Sequence, residues 1–95
     1  MKIVFFTKEK TKVDDIVKKD DLISRQSLLW RSADSLGIND KEGYFLLIEG
    51  SEEAIEKAKN LLKDLAEVVK DDEEIIKKIK EDEEKAMVGF GNILG

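Results

Sequence analysis

The chain has 95 residues, a net charge of −5, and equal 41% shares of apolar and charged residues. That balance predicts one ordered domain over residues 1–95, with a modest core and a heavily charged surface. Cysteine and histidine are both absent, which excludes disulfides, thiolate nucleophiles and the usual zinc, copper and iron ligand sets.

Ile3-Val4-Phe5-Phe6 reads as a first strand, apolar on both alternating faces. Met1 to Thr7 resembles the start of a secretion signal, but Lys8, Lys10 and Lys12 follow at once, and the strand reading is preferred. No apolar run approaches the roughly 18 residues of a membrane span. A cytoplasmic location is expected. Lys8 to Lys12 is a polar connection. Val13, Ile16 and Val17 then form a short helical stripe, with Asp14 and Asp15 suited to its first turn. Asp20-Asp21 breaks and restarts the helix, since either can cap the next segment.

From Leu22 to Leu36 the apolar positions Leu22, Ile23, Leu29, Trp30, Ala33 and Leu36 predict a second helix, stopped by Gly37. Gln26 projects into the middle of that face. A buried amide left unpaired costs about 1–3 kcal/mol, so it needs a partner. One reading pairs Gln26 with a neighbouring loop backbone. The other makes Gln26, Trp30 and Arg25 the rim of a small binding site. Ile38 to Gly43 is a turn that fails the spacing of a calcium loop.

Tyr44 to Ile48 is a second strand with apolar residues on both sides. Two such strands require cover above and below the sheet, from helices or from another subunit. Glu49-Gly50-Ser51 turns into a long helix with Ser51 at the N-cap, Glu52 and Glu53 in the first turn, and Ile55, Ala58, Leu62, Leu65 and Val69 on one face. Three glutamates at that helix end would repel an anion. Ala66 to Lys70 either ends the helix or forms a short strand. Asp71-Asp72 can cap a further helix from Glu73 to about Lys85, with Ile75, Ile76 and Ile79 as its apolar face. The tail carries Met87, Val88, Phe90, Ile93 and Leu94 between glycines. It either folds back over the core or docks on a second copy or another protein.

Leu47-Ile48-Glu49-Gly50-Ser51-Glu52-Glu53-Ala54-Ile55-Glu56-Lys57-Ala58 resembles the strand-turn-helix of KH domains and of ferredoxin-like regulatory modules. A KH domain also needs a Gly-x-x-Gly loop between helices, which is missing at that position. A ferredoxin-like fold expects a hairpin after its first helix, whereas strong helical pattern follows the central strand directly. The resemblance implies an α+β domain and carries no activity with it.

Charge is uneven along the chain. Residues 1–19 hold six Lys against three acids, while residues 71–84 hold eight acids against three Lys. These are two solvated faces, or opposite ends that attract within one molecule or between two. The acidic total and the scarcity of arginine argue against nucleic acid, whose affinity rests on phosphate contact. Fifteen lysines, 12 glutamates and ten isoleucines resemble the bias of heat-loving organisms. The runs Asp71-Asp72-Glu73-Glu74 and Glu81-Asp82-Glu83-Glu84 could hold calcium or magnesium weakly, although neither has the residues that shape a cage. Several serines offer hydroxyls without a histidine to activate them.

The sequence therefore predicts an α+β fold. A small sheet of two to four strands, with Ile3–Phe6 and Tyr44–Ile48 the firm ones, packs with three or four helices. The first and central strands are expected to lie adjacent and parallel. The expected function is a non-catalytic binding or assembly module without cofactor or metal. It self-associates as a homo-oligomer, or binds a small protein partner, through a sheet face, the Met87–Leu94 tail, or both. The alternative is a small-ligand or divalent-cation sensor using the Gln26/Trp30 face or the acidic clusters.

Overall fold

The computed structural model describes residues 1–38, 40 and 42–82. Strand β1 (Lys2–Thr7) leads through helix α1 (Lys10–Lys19) and a 3-10 turn at Ile23–Arg25 into β2 (Ser27–Ser32). A second 3-10 turn, Asp34–Leu36, precedes β3 (Tyr44–Glu49), helix α2 (Glu52–Leu62) and the short β4 (Glu67–Val68). A third helix, α3, covers residues 73–82. The four strands form one sheet in the order β2-β3-β1-β4, and every neighbouring pair is antiparallel. The result is the expected α+β fold. Its element order is the split βαβ, ferredoxin-like arrangement with α3 added at the end.

The local causes are those of ordinary capping and burial. Ser51 caps α2 by accepting the Ala54 N–H at 3.2 Å. The requirement for cover on both faces of the sheet is met within one chain. Val13 and Val17 of α1 and Ile55, Ala58 and Leu62 of α2 close over Ile3, Phe5, Leu46 and Ile48. On the other face, Ile79 of α3, with Ala33 and Leu36, closes over Val4, Phe45 and Leu47. Each buried aliphatic or aromatic side chain of this kind contributes about 1.5–3 kcal/mol. Two ion pairs tie α3 to the sheet, Lys80 to Glu49 at 2.7 Å and Arg31 to Asp82 at 2.7 Å.

Several expectations change. The predicted helix over Leu22–Leu36 is a strand between two single turns. Its apolar residues do recur at helical spacing, but Leu28, Leu29 and Trp30 satisfy both faces of a sheet at once, and pairing with β3 overrides the local pattern. This strand supplies the hairpin that a ferredoxin-like fold places after its first helix. With that hairpin in place, β1 and β3 run antiparallel rather than parallel, although they are adjacent as expected. Helix α1 starts at Lys10, so Asp14 and Asp15 fall in its second turn. Asp20 does cap the turn after it, accepting the N–H of Leu22 and of Ile23 at 3.0 and 2.9 Å, but the restart lasts one turn. Helix α2 ends at Leu62, and Val69 joins the sheet by donating its N–H to the Val4 carbonyl at 2.9 Å.

Candidate interaction edge

Strand β2 is the long outer strand of the sheet, and among the described residues its pairing is with β3 alone. The direction of its backbone groups follows from the ladder. Ala33 donates its N–H to the Gly43 carbonyl at 2.9 Å, which makes Ala33–Gly43 a hydrogen-bonded pair. Alternation then assigns Arg31–Phe45, Leu29–Leu47 and Ser27–Glu49 to the same class. The N–H and C=O groups of Leu28, Trp30 and Ser32 consequently face away from β3.

The side chains flanking this margin reach into both helical layers. On one face the Trp30 indole N–H donates to Asp14 Oδ1 of α1 at 3.0 Å, and Lys18 Nζ pairs with Asp14 Oδ2 at 2.8 Å. Lys10 Nζ lies 5.8 Å from the Trp30 ring centre and 5.1 Å from that of Tyr44. Such contacts are worth about 0.5–1 kcal/mol each where solvent reaches them. On the other face the Arg31 guanidinium meets Asp82 of α3. The same guanidinium donates from Nη1 to the Trp30 carbonyl at 2.7 Å. The Ser35 hydroxyl donates to the Ser32 carbonyl at 2.8 Å. Leu28, Leu29 and Trp30 are each half-buried.

Gln26 stands just ahead of the strand and serves a different end of it. Its Nε2 donates to the Leu22 carbonyl at 3.0 Å, and its Oε1 accepts the Ser51 N–H at 3.2 Å. The amide is thus paired with a neighbouring loop backbone. A Cβ at Gly50 would overlap the Gln26 carboxamide, so a larger residue there would have to displace that side chain from Ser51. With three residues between them along extended backbone, Gln26 and Trp30 lie roughly 13 Å apart. Met87, Val88, Phe90, Ile93 and Leu94 lie outside the described residues. A helical reading puts Arg31 and Ser35 on the face opposite Trp30 and leaves Tyr44 to a separate strand, so the sequence alone does not point to them as neighbours of Trp30.

Among the described residues no group of three or more acidic side chains is placed to hold a metal ion. An open hollow of ≈ 340 Å³ lies at the other margin of the sheet, lined by Thr7, Lys8, Lys63 and Glu67 among others, and neither Gln26 nor Trp30 reaches it. No helix among the described residues is long and apolar enough to cross a membrane.

Two carboxyl groups in this region are held below their ordinary range. For Asp14 the chief cause is the Lys18 hydrogen bond, helped by the Trp30 N–H and opposed by burial. For Asp20 it is the Lys57 hydrogen bond, helped by the Ile23 N–H. A carboxyl whose folded value is depressed adds stability above its unfolded value, near pH 4, and that stability is lost as pH falls through the folded value. Melting points recorded downward from pH 6 should therefore fall below about pH 4. The fall should be shallower in an Asp14→Asn, Asp20→Asn double variant, which keeps hydrogen-bonding groups and removes charge. Parallel curves for the two proteins would refute this.

No protein-family model, curated protein or solved structure matches the chain.

Proposed function

We propose that the protein is a small non-catalytic binding or assembly module that self-associates in a cytoplasmic setting, with the β2 margin as its contact surface. The observation that supports the reading is the distribution of cover. Helices from the same chain lie over both faces of the sheet, so the sheet's long open margin among the described residues is β2. That margin offers outward backbone groups at three positions, and Leu28 and Trp30 on one face and Leu29 on the other extend the apolar layers to its rim. Strand edges of this kind recruit further strands.

Light scattering over a concentration series tests the reading. The expected result is a mean mass that rises from one chain toward two as concentration increases, and that falls back in Leu28→Pro. Proline there removes an outward N–H and no bond to β3, so the variant opposes association without breaking the native ladder. A mass of one chain at every concentration, for the parent and for any variant stripped of side chains along β2, would sink the proposal.

A further inference from the structure

We infer that Arg31 guards the β2 edge against pairing with a second copy of the chain, and that α3 sets the guard through Asp82. The inference rests on the proposed self-association and adds its regulation.

Self-pairing at this edge has few geometric solutions. Two β2 strands related by a two-fold axis through the sheet run antiparallel and keep each residue on its own face. Hydrogen bonds can form only between outward-facing residues, which are Leu28, Trp30 and Ser32. One register sets Trp30 against Trp30 of the second copy, with Leu28 against Ser32. Its neighbours set Leu28, or Ser32, against Trp30. All three use the Trp30 carbonyl as an acceptor. In the structure that carbonyl is taken by Arg31 Nη1 at 2.7 Å. A guanidinium carries donors and no acceptor, so it takes one lone pair of that carbonyl and crowds and repels an incoming N–H at the other. The Ser35 hydroxyl on the Ser32 carbonyl adds a smaller block in the first register.

The guard has its own anchor. Arg31 Nε donates to Asp82 Oδ2 at 2.7 Å, and Asp82 belongs to α3, which is seated on the same face through Ile79. Loss of the Asp82 contact frees the guanidinium to leave the strand. A second copy is the occupant that fits, because the margin is three layers thick. Trp30 is tied to α1 above the sheet and Arg31 to α3 below it. A covered strand of the same construction continues all three layers, whereas a lone peptide would leave Leu28, Leu29 and Trp30 half-exposed.

The test compares the parent with Arg31→Ala, Asp82→Asn, and Arg31→Ala combined with Leu28→Pro, by light scattering on the full chain, with circular dichroism showing that each is folded. Arg31→Ala should associate about ten-fold or more tightly than the parent, the effect of releasing a charge-assisted hydrogen bond from each copy. Asp82→Asn, which weakens the anchor but leaves the Arg31 side chain present, should fall between the two, and the Leu28→Pro combination should fall to a mass of one chain. Equal association of parent and Arg31→Ala, abolished by Leu28→Pro, would overturn the guard and leave self-association at β2 standing. A one-chain mass for every variant would overturn both.

Discussion

Ile79→Ala should destabilise the protein by about 2–5 kcal/mol, the range for truncating a fully buried isoleucine. Ile79 has no accessible surface and is the one fully buried residue that α3 supplies to its face of the sheet. Its partners Ile75 and Ile76 are only partly covered, so they cannot close the gap left by the truncation. For a domain of this size the loss corresponds to a fall in melting temperature of roughly 8–40 °C. The measurement also reports on architecture. If Ile79→Ala melted within about 0.5 kcal/mol of the parent, the range of a surface change, α3 would not be seated on the sheet in solution. Both the closed lower face and the Asp82 anchor of Arg31 would then be lost as explanations.

The second large effect is expected at Thr7, the one polar side chain in the buried set of the described residues. Its hydroxyl donates to the Leu65 carbonyl at 2.7 Å and accepts the Glu9 N–H at 2.9 Å, joining the end of β1 both to the α2–β4 connection and to the entry of α1. Thr7→Val keeps the shape and removes both bonds. A backbone group left unpaired costs about 1–3 kcal/mol when fully buried and less at this part-buried corner, so urea melts should show a midpoint below the parent's. Thr7→Ser retains the hydroxyl and should recover most of the loss, short of the missing methyl. Equal damage from valine and serine would show that the methyl, and not the two hydrogen bonds, holds this corner.

What could be read from the residues depended on whether local pattern and tertiary demand agreed. At β3 and α2 they do: Tyr44–Ile48 has only one use for its apolar run, and Ser51 with Glu52 and Glu53 writes a helix start without ambiguity. The need for two-sided cover was legible for the same reason, and Ile79, Val13 and Ile55 supply it. At β2 the two disagree. A strand buried on both faces loses its alternation, and Leu22, Ile23, Leu29, Trp30, Ala33 and Leu36 happen to repeat like a helix. The available warning was Gln26, a polar residue in the centre of the supposed apolar face. It marks the place where the helical reading fails, since the chain turns there and uses the amide to hold Ser51. Strand direction was illegible once β2 was misread, because the β2–β3 hairpin decides that β1 and β3 oppose each other. The edge device was hidden with it: Arg31 and Ser35 gain meaning only when the Trp30 and Ser32 carbonyls are known to face outward.

The central position of β1 has a consequence for how the molecule comes into being. Of the sheet's four strands it is made before the others, yet its two neighbours come from the middle of the chain and from beyond α2, with Lys2 facing Glu49 and Phe5 facing Val68. Such distant pairings impose loop-closure entropy before they return any contact, which slows folding. The lower face waits longest, because Val4, Phe45 and Leu47 are roofed only when residues 73–82 have been made. A nascent chain of this protein thus exposes an apolar sheet face before it carries the helix that hides it, and that interval is when it most needs shelter from its neighbours.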